Sequence, residues 1–264
     1  MNDAVAARLR YVERIAGRER ISSPLLLRAL ASVPREDFLP RGPWRIKSAA
    51  ARDYRRTADA DPVHLYDDVL VAIDARRKLD TGLPSLWAHF IDVLDVGESE
   101  RVVQIGCGLG YFSAILSEMV GPKGRVRAIE CDDSLARRAA VNLRAYGNVE
   151  VVQGDGCRDI GDAADVIIVH AGFSHPHPLW LESLRPRGRL LVPLTQRDRE
   201  GTVIRIVRKG RGYQAEPVQQ IRIFPGRGRG TTALDDRVAD WWERASALAP
   251  LRFRGIAQGL PSDG

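Results

Sequence analysis

Residues 101–113 read RVVQIGCGLGYFS, and this stretch decides the fold. A short run rich in β-branched side chains ends in a turn that holds Gly106, Gly108 and Gly110, and a helical pattern over 111–120 follows. The same alternation continues through RVRAIE (125–130), a helical pattern over 133–146, VEVVQ (149–153) and ADVIIVH (164–170). Short β-rich runs that alternate with helical windows predict parallel strands joined by crossover helices. We therefore predict an α/β fold around a mostly parallel sheet.

The chain beyond this alternation predicts an antiparallel addition to the sheet. A short helix near 178–184 and the strand RLLVPL (189–194) precede GTVIRIVRKG (201–210) and the run from Gln214 to Phe224. A glycine-containing turn separates the last two runs, so we expect a hairpin at the sheet edge. The glycine-rich PGRGRG (225–230) and a final helix over Asp235–Leu248 are predicted to follow.

The residues before the alternation predict a helical lobe. Apolar side chains recur at helical spacing from Asp3 to Leu39, with Ser23-Pro24 opening a second helix. The stretch Arg41–Asp61 has no sustained period and many arginines, and we interpret it as an exposed basic connection. A strand over YDDVLVAID (66–74) and a helix over Leu83–Leu94 follow. We divide the chain into a helical and acceptor-side lobe (1–95), a core domain (96–230) and a C-terminal helix and tail (231–264).

Composition limits the class of protein. The 264 residues are 44% hydrophobic and 28% charged, with a mean hydropathy of −0.22. No uninterrupted apolar run approaches the roughly 18 residues that cross a bilayer, so we expect a cytoplasmic protein without a membrane partner. The net charge of +6 favours an anionic partner. The three cysteines and the pair His175 and His177 lack the spacing of a metal site, so we expect no metal.

The glycine turn and two acidic residues together predict a nucleoside-binding site. Glycines after a strand let the backbone turn tightly and approach a ligand closely. A dinucleotide fingerprint would need a third glycine at Tyr111, so pyrophosphate binding is disfavoured. Glu130 ends the next strand, where its carboxylate can accept bonds from two ribose hydroxyls. Asp155 ends the strand after that and can accept a bond from an exocyclic amine such as that of adenine.

With these motifs the chain resembles the class I methyltransferases that use S-adenosylmethionine, and within them the protein-L-isoaspartate O-methyltransferase family. The matching blocks are YVERI, ISSPLLLRALASVPREDFLP, VVQIGCGLGYFSAILSEMVG, GRVRAIE, NVEVVQGDG, LRPRGRLLVPL and IRIFPGRG. The resemblance implies a Rossmann-like class I methyltransferase sheet with the N-terminal helical lobe attached. It also implies that the cofactor S-adenosylmethionine contacts Ile105, Gly106, Cys107, Gly108, Gly110, Tyr111, Glu130, Cys131, Asp155 and Gly156. Cys107, Cys131 and Cys157 would then be small, free, buried thiols beside the cofactor.

The acceptor side departs from the family pattern. Aligning on the proline of the family's Thr-Ile-Ser-Gln-Pro block gives DTGLP (80–84), with Gly82 at the position of the family serine. The candidates for holding an acceptor carboxylate are Thr81, Arg76 and Arg77, although these arginines are equally consistent with a solvated charge run in a loop. His170 follows a strand and could donate a hydrogen bond to an acceptor oxygen.

These observations predict an O-methyltransferase that esterifies a carboxylate of a peptide or protein. The changed acceptor block predicts an acceptor other than ordinary isoaspartate, such as a carboxylate of a ribosomally made natural-product peptide. One alternative is methylation of a small molecule or of nucleic acid, although His170-Ala171-Gly172-Phe173 lacks the motif of base-amine methyltransferases. Another is a non-catalytic member that binds cofactor or nucleic acid through Arg41–Arg56 and the PGRGRG segment. The sequence leaves the oligomeric state open.

Overall fold

The structure, a computed structural model, describes residues 3–74, 76–77, 79–195, 200–223 and 252–253. The described helices are α1 (Asp3–Glu19), α2 (Pro24–Ser32), α3 (Pro84–Leu94), α4 (Tyr111–Val120), α5 (Asp133–Asn142) and α6 (Pro178–Glu182). The described strands are β1 (Arg45–Ser48), β2 (Arg55–Arg56), β3 (Val69–Asp74), β4 (Leu79–Asp80), β5 (Arg101–Ile105), β6 (Arg125–Glu130), β7 (Val149–Gln153), β8 (Ala164–Val169), β9 (Leu184–Thr195), β10 (Glu200–Lys209), β11 (Gly212–Arg222) and β12 (Arg252–Phe253).

The main sheet has the order β12-β11-β10-β9-β8-β5-β6-β7. The strands from β9 to β7 in this order pair in parallel, while β9, β10, β11 and β12 pair antiparallel. This confirms the predicted α/β class and the hairpin that extends the sheet. Strand order reverses at β5, because β6 and β8 lie on its two sides. At such a switch point the carboxyl ends of the strands leave a crevice for a ligand.

The central strands are buried because helices cover both faces of the sheet. Val102 and Val166 belong to a core shared with α1 to α4, whereas their chain neighbours Val103 and Ile167 belong to a second core that includes Trp180 of α6. Successive side chains of a strand point to opposite faces, so each strand contributes to both cores. A strand buried on both faces needs apolar residues at nearly every position, which explains the continuous runs in the sequence.

The interpretation of Arg41–Asp61 as an exposed basic connection was wrong in one respect, because part of the segment is buried. The segment contains β1 and β2, which join β3 and β4 in a small sheet of order β2-β1-β3-β4. Trp44 and Ile46 are buried there against Val69 and Val71. Two alternating buried residues are too few to give a recognisable period, and the arginines around them mask the strand. The side chains of Arg45, Arg52, Arg55 and Arg56 are exposed, as predicted for this segment.

The other helix and strand predictions in the described part are confirmed within a few residues. The helix predicted over 133–146 ends earlier, at Asn142, and β4 lies inside the polar run before Thr81. Phe224, the PGRGRG segment, the helix predicted over Asp235–Leu248 and most of the tail lie outside the described residues. The division into lobes at residues 95 and 230 stays a prediction.

Two kinds of feature are missing from the ranges that the structure describes. None of the helices there combines the length and apolar character needed to span a bilayer. No three His, Cys, Asp or Glu side chains in these ranges are grouped to hold a metal ion. His177 instead caps α6, because its Nδ1 accepts the Leu179 amide proton at 3.3 Å.

Candidate active site

The glycine turn after β5 has a backbone that favours glycine. Gly106, Gly108 and Gly110 have φ values of +80°, +58° and +92°, in the left-handed region where a side chain causes strain. The amides of Gly106 and Cys107 both donate to the carbonyl oxygen of Ile129, at 2.8 and 3.1 Å. The turn is therefore fixed to the end of β6. A Cβ built on Gly108 would meet no atom within 4 Å, so the space beside this residue is open to a ligand.

Glu130 is buried at the end of β6 and supports this turn. Its Oε2 accepts the Gly108 amide proton at 2.8 Å, and its Oε1 accepts the Asp132 amide proton at 3.0 Å. A carboxylate has about four lone-pair positions. The Cys131 thiol, 3.7 Å from Oε1, is a weak third donor, so the position that remains for a ligand hydroxyl, such as one of a ribose, is on Oε2.

The third strand end is held by a tight loop. Oδ1 of Asp155 accepts the Cys157 amide proton at 2.9 Å, so this carboxylate also caps its own turn. Gly156 packs so closely on β5 that a Cβ would lie 2.8 Å from Cγ2 of Ile105. Its carbonyl oxygen accepts the indole proton of Trp180 at 2.7 Å. These contacts leave the Asp155 side chain at a fixed position beside the turn.

A cavity of about 250 Å³ joins the three strand ends. Its lining includes nine residues of the predicted cofactor set, namely Ile105, Gly106, Cys107, Gly108, Tyr111, Glu130, Cys131, Asp155 and Gly156. Gly110 is not part of the lining. It is needed for packing, because a Cβ there would lie 2.7 Å from Cδ1 of Leu143.

The three cysteines line this cavity as free thiols. Cys107 and Cys157 are buried, and burial raises the pKa of the Cys157 thiol to about 12 and that of Cys107 further. The thiols therefore remain protonated and are poor nucleophiles. Cys131 is exposed, contrary to the prediction, because it follows the end of β6 where the chain leaves the sheet.

The predicted acceptor residues divide into two groups. Thr81 and Arg77 line the cavity, whereas Arg76 is exposed and borders a separate surface hollow with Asp74 and Arg138. The amide of Arg76 is fixed by Oδ1 of Asp74 at 3.0 Å, and Arg76 is not part of the cavity lining. The cavity therefore gives no support to a contact between Arg76 and the acceptor.

Arg77 reaches across to the cofactor edge of the cavity. It forms an ion pair with Asp132, with Nη1 2.6 Å from Oδ2. The other oxygen of Asp132 caps α5 by accepting the Leu135 amide proton at 3.0 Å. This hydrogen bond and the Arg77 guanidinium hold the pKa of Asp132 below its usual value. One carboxylate thus connects the acceptor segment to the residues that follow Glu130.

Arg35 is a site residue that sequence reasoning missed. It is 3% exposed and lines the cavity next to Thr81. Its Nη1 donates to the Leu65 carbonyl at 2.5 Å and its Nη2 to the Val69 carbonyl at 3.1 Å. No carboxylate in the described ranges forms an ion pair with it. The residue lies in the VPREDFLP block, and its positive charge was the one feature of the sequence that could have indicated a site residue.

Thr81 is hydrogen-bonded on several sides. Its hydroxyl accepts the Val71 amide proton at 3.1 Å and lies 3.5 Å from Nη2 of Arg35. It donates to the Gly82 carbonyl oxygen at 3.2 Å. The hydroxyl is therefore held in place beside the Arg35 guanidinium.

His170 lies at the end of β8 and lines the same cavity. Its ring stacks on Trp87, with centroids 3.7 Å apart and planes 8° from parallel. Burial lowers the pKa of His170 to about 3, so the imidazole is neutral near pH 7. Trp87 is a second residue that sequence reasoning missed, because a tryptophan in an amphipathic helix gives no sign that it lines a cavity.

Comparisons with other sequences point to one family. The family model described as Protein-L-isoaspartate(D-aspartate) O-methyltransferase (PCMT) matches residues 10–226. A protein-L-isoaspartate O-methyltransferase of Aeropyrum pernix is 33% identical over 198 residues, which cover 73% of this chain and 68% of that protein. Protein-L-isoaspartate O-methyltransferase 2 of Pelobacter propionicus is 33% identical over 219 residues, covering 81% and 86%.

Solved structures share the fold. A protein-L-isoaspartate O-methyltransferase structure matches with a TM-score of 0.71 at 23% identity, covering 91% of this chain and 69% of that one. A Plasmodium falciparum protein in complex with S-adenosyl-L-homocysteine matches with a TM-score of 0.65 at 15% identity, covering 83% and 97%. At these identities the two structures establish the fold, and the sequence matches establish the kinship.

Proposed function

Because this chain belongs to the protein-L-isoaspartate O-methyltransferase family, we propose that it transfers a methyl group from S-adenosylmethionine to a carboxylate of a peptide or protein. It is an enzyme of the S-adenosylmethionine-dependent methyltransferase class, as its family membership implies. The names of its relatives support a protein carboxyl acceptor. Which carboxylate this enzyme methylates is likewise proposed, in the paragraphs below.

The residues around the cavity fit this cofactor. Oε2 of Glu130 keeps a lone-pair position for a ribose hydroxyl, and the open space beside Gly108 admits a ligand next to the turn. Asp155 stands at the neighbouring strand end, where it can accept a bond from the adenine amine. The ten-residue helix α4 begins directly after the turn, and its N-terminus favours the carboxylate of the methionine part.

The reaction demands alignment more than acid–base chemistry. S-adenosylmethionine supplies an electrophilic methyl group on a sulfonium sulfur. A carboxyl group with a pKa near 4 is already ionised at neutral pH, so the enzyme needs no general base. Holding the carboxylate oxygen about 3 Å from the methyl carbon, in line and without water, can supply several kcal/mol of the rate enhancement. The protein must therefore bind one carboxylate oxygen while leaving the other free to attack.

The observation that carries the carboxyl acceptor is the buried guanidinium of Arg35 in the cavity wall. A buried charge without a counter-ion lowers stability unless a ligand neutralises it. Carboxylates bind guanidinium groups through strong, charge-assisted hydrogen bonds. Arg35 therefore suits an anionic acceptor, and the Arg77 guanidinium, paired with Asp132, lines the same cavity.

We extend the proposal to an acceptor other than ordinary isoaspartate, such as a side-chain or C-terminal carboxylate of a natural-product peptide. Gly82 supports this extension, because it stands at the position of the family serine and offers no hydroxyl. The exposed arginines of the small sheet suit acidic or terminal groups on such a peptide.

A labelling experiment tests the proposed reaction. The protein is incubated with methyl-labelled S-adenosylmethionine and separate panels of isoaspartyl, aspartyl and free C-terminal peptides, and the products are treated with mild base. We expect label in at least one peptide, released by base as expected of an ester, with little label in the isoaspartyl panel. Label that resists base would contradict carboxyl methylation. An isoaspartyl peptide as the best acceptor would contradict the extension alone.

Arg35→Met and Arg35→Lys test whether the buried Arg35 guanidinium binds the acceptor carboxylate. We expect the acceptor KM to rise about 10- to 100-fold in the methionine variant, because a charge-assisted hydrogen bond is lost. The lysine variant keeps the charge and should recover part of the loss. S-adenosylhomocysteine affinity, measured by calorimetry, serves as the control and should stay unchanged in both.

A second candidate function is nucleic-acid binding through Arg45, Arg52, Arg55 and Arg56, whose exposed side chains favour it. Binding to phosphates weakens steeply as salt rises, because counterions are released. Turnover of a short peptide should change much less. A titration of labelled single- and double-stranded nucleic acid at several salt concentrations separates the two functions.

A further inference from the structure

The acceptor side of the cavity contains a glycine that has no room for a side chain. Gly82 has a φ of +72°, and a Cβ built on it would lie 2.4 Å from Nε1 and 2.7 Å from Cδ1 of Trp87. Trp87 is 4% exposed, and its ring packs against Phe90 and Phe112. The indole therefore has little freedom to move aside. With Trp87 in this place, residue 82 has to be glycine.

Trp87 in turn positions the ring of His170. The two rings stack with centroids 3.7 Å apart, and the Phe112 ring lies 5.4 Å from the imidazole. The backbone amide of His170 donates to the Ile105 carbonyl oxygen at 2.8 Å, which fixes the residue to the end of β5. The imidazole is therefore held between the aromatic side chains and the glycine turn.

The Nε2 atom of His170 is buried and has no hydrogen-bond partner within the described ranges. Buried polar atoms in folded proteins are nearly always hydrogen-bonded, and an unpaired one lowers stability. His170 lines the cavity, so a bound ligand can supply the missing partner. Because burial keeps the ring neutral, one of its nitrogens carries a proton and can donate it in a hydrogen bond.

We propose that Trp87 and His170 form an acceptor subsite in which Nε2–H of His170 donates a hydrogen bond to the acceptor carboxylate. Trp87, Phe112, Phe173 and Ile223 give the cavity an apolar wall, and Trp87 and Phe112 lie against the imidazole. The wall suits an uncharged side chain beside the carboxylate. The proposal rests on the carboxyl methylation proposed above and names its substrate class, a peptide with an apolar or aromatic residue flanking the methylated carboxylate.

Gly82 is the residue that makes this subsite compatible with the fold. A side chain at position 82 would collide with Trp87, so the stacked pair and a hydroxyl-bearing residue 82 exclude each other. In this subsite His170, at the end of β8, donates the hydrogen bond that a serine hydroxyl at position 82 could otherwise supply.

A thermal-unfolding cycle tests the contact between Gly82 and Trp87. Gly210 is the matched control, because it has a φ of +60° in the β10–β11 turn and a Cβ there would meet no atom within 4 Å. Gly210→Ala measures backbone strain alone, and Gly82→Ala should lower Tm by about 4 °C or more beyond it, since the clash is added. In a Trp87→Val background, Gly82→Ala should cost no more than Gly210→Ala. The same additional loss in both backgrounds would overturn the contact.

A pair of histidine variants tests the hydrogen bond. His170→Phe keeps a ring to stack on Trp87 but lacks the nitrogen, and His170→Gln keeps a donor near Nε2 but lacks the ring. Two peptides carry the same carboxylate with either Phe or Gly beside it. We expect kcat/KM to favour the Phe peptide by about 10-fold and to fall about 10- to 100-fold in His170→Phe, with partial recovery in His170→Gln. His89→Gln, outside the cavity lining, is the control variant.

The outcomes separate this proposal from the proposed function. Equal kcat/KM for wild type and His170→Phe, or no preference between the peptides, would overturn the subsite while carboxyl methylation stands. If no peptide receives base-labile label, carboxyl methylation fails. Calorimetry of the Phe peptide with protein loaded with S-adenosylhomocysteine then decides the subsite. Binding that weakens in His170→Phe supports it, and the absence of binding overturns it.

Discussion

Glu130 illustrates how a single residue can support both the fold and the ligand. Both of its oxygens accept backbone amide protons, from Gly108 and Asp132, and Oε2 retains a position for another donor. The carboxylate therefore fixes the glycine turn before any ligand arrives. Such preorganisation lowers the entropy that binding has to overcome.

Glu130→Gln should weaken cofactor binding while keeping the size of the side chain. The amide group presents an NH₂ to one of two backbone N–H donors, so one hydrogen bond is lost and the turn is disturbed. We expect S-adenosylhomocysteine affinity to fall about 10- to 100-fold, which corresponds to about 1.4–2.8 kcal/mol. Calorimetry measures the change. Glu150→Gln, an exposed carboxylate on β7 paired with Arg127, should bind as wild type does, and an equal loss there would refute the assignment.

His170 should make the stability of the protein depend on pH in the acidic range. Burial lowers its pKa from 6.5 to about 3. Between these values the unfolded chain binds a proton that the folded chain does not, so stability falls as pH decreases from about 6.5 towards 3, by at most about 1.4 kcal/mol per pH unit. Above pH 6.5 the effect is absent.

The measurement is the unfolding free energy of wild type and of His170→Phe, obtained by denaturant titration at pH 7 and at pH 5. Glu130, Asp155 and Arg77 line the same cavity in both proteins, so the comparison isolates the contribution of the histidine. The wild type should lose more stability than the variant on going to pH 5. Parallel losses would show that the histidine is already paired or protonated.

Single residues were predictable from the sequence where a pattern ties them to a strand end. Glu130 ends β6 and Asp155 follows the end of the neighbouring strand β7, so their meeting with the glycine turn follows from topology. Arg35 and Trp87 come from an N-terminal 3-10 turn and from α3. Nothing in their local sequence places them against the sheet edge, because that contact depends on how the lobe packs.

At the scale of elements, the sequence did not predict the small sheet of β1 to β4, apart from the strand that became β3. It packs five buried residues, Trp44, Ile46, Leu65, Val69 and Val71, into a core of its own. β4 leads directly to Thr81 and Gly82, so the small sheet sets the position of the acceptor segment. Its strands are short and its surface is strongly basic, which hides a period of two.

Ile46→Ala should destabilise this small sheet. Ile46 is 1% exposed, and removing its side chain leaves a cavity, with a loss of about 2–5 kcal/mol in unfolding free energy. Urea unfolding monitored by circular dichroism measures the loss. Lys47→Ala, the next residue on the same strand, should change stability by less than about 1 kcal/mol. Similar values for the two variants would mean that β1 contributes little to the fold.

The elements of the main sheet were predictable because each is a β-rich run or a helical window long enough to recognise. β5, β6, β7 and β8 lie where the β-rich runs indicated, and β10 and β11 form the expected hairpin. The order of the strands was not predicted from the sequence and comes from the structure. The sequence pattern did not predict the depth of the cavity or the residues of its acceptor side, Arg35 and Trp87.

At the scale of the whole molecule, one hydrophobic core joins the N-terminal helices to the sheet. Tyr11 of α1, Leu30 of α2, Phe90 of α3 and Ile115 of α4 belong to the same cluster as Val102 of β5. The helices therefore cannot separate from the sheet without exposing a shared apolar surface. The acceptor wall and the cofactor edge are parts of one packed unit.

Thermal unfolding should accordingly be one cooperative transition, seen at the same temperature by near-ultraviolet and far-ultraviolet circular dichroism. S-adenosylhomocysteine should raise that single Tm, since a ligand at 100 times its Kd adds about 2.7 kcal/mol to the stability. Two resolved transitions, with only one of them shifted by the ligand, would contradict the shared core.

The double use of Asp132 has a consequence for how the two substrates influence each other. Its carboxylate caps α5 on the cofactor side and holds Arg77 on the acceptor side. We therefore expect positive cooperativity: a bound peptide should tighten S-adenosylhomocysteine by the same factor by which S-adenosylhomocysteine tightens the peptide, because linkage is reciprocal. Asp132→Asn preserves a good helix cap and removes the charge that holds Arg77, so in that variant the two affinities should become independent.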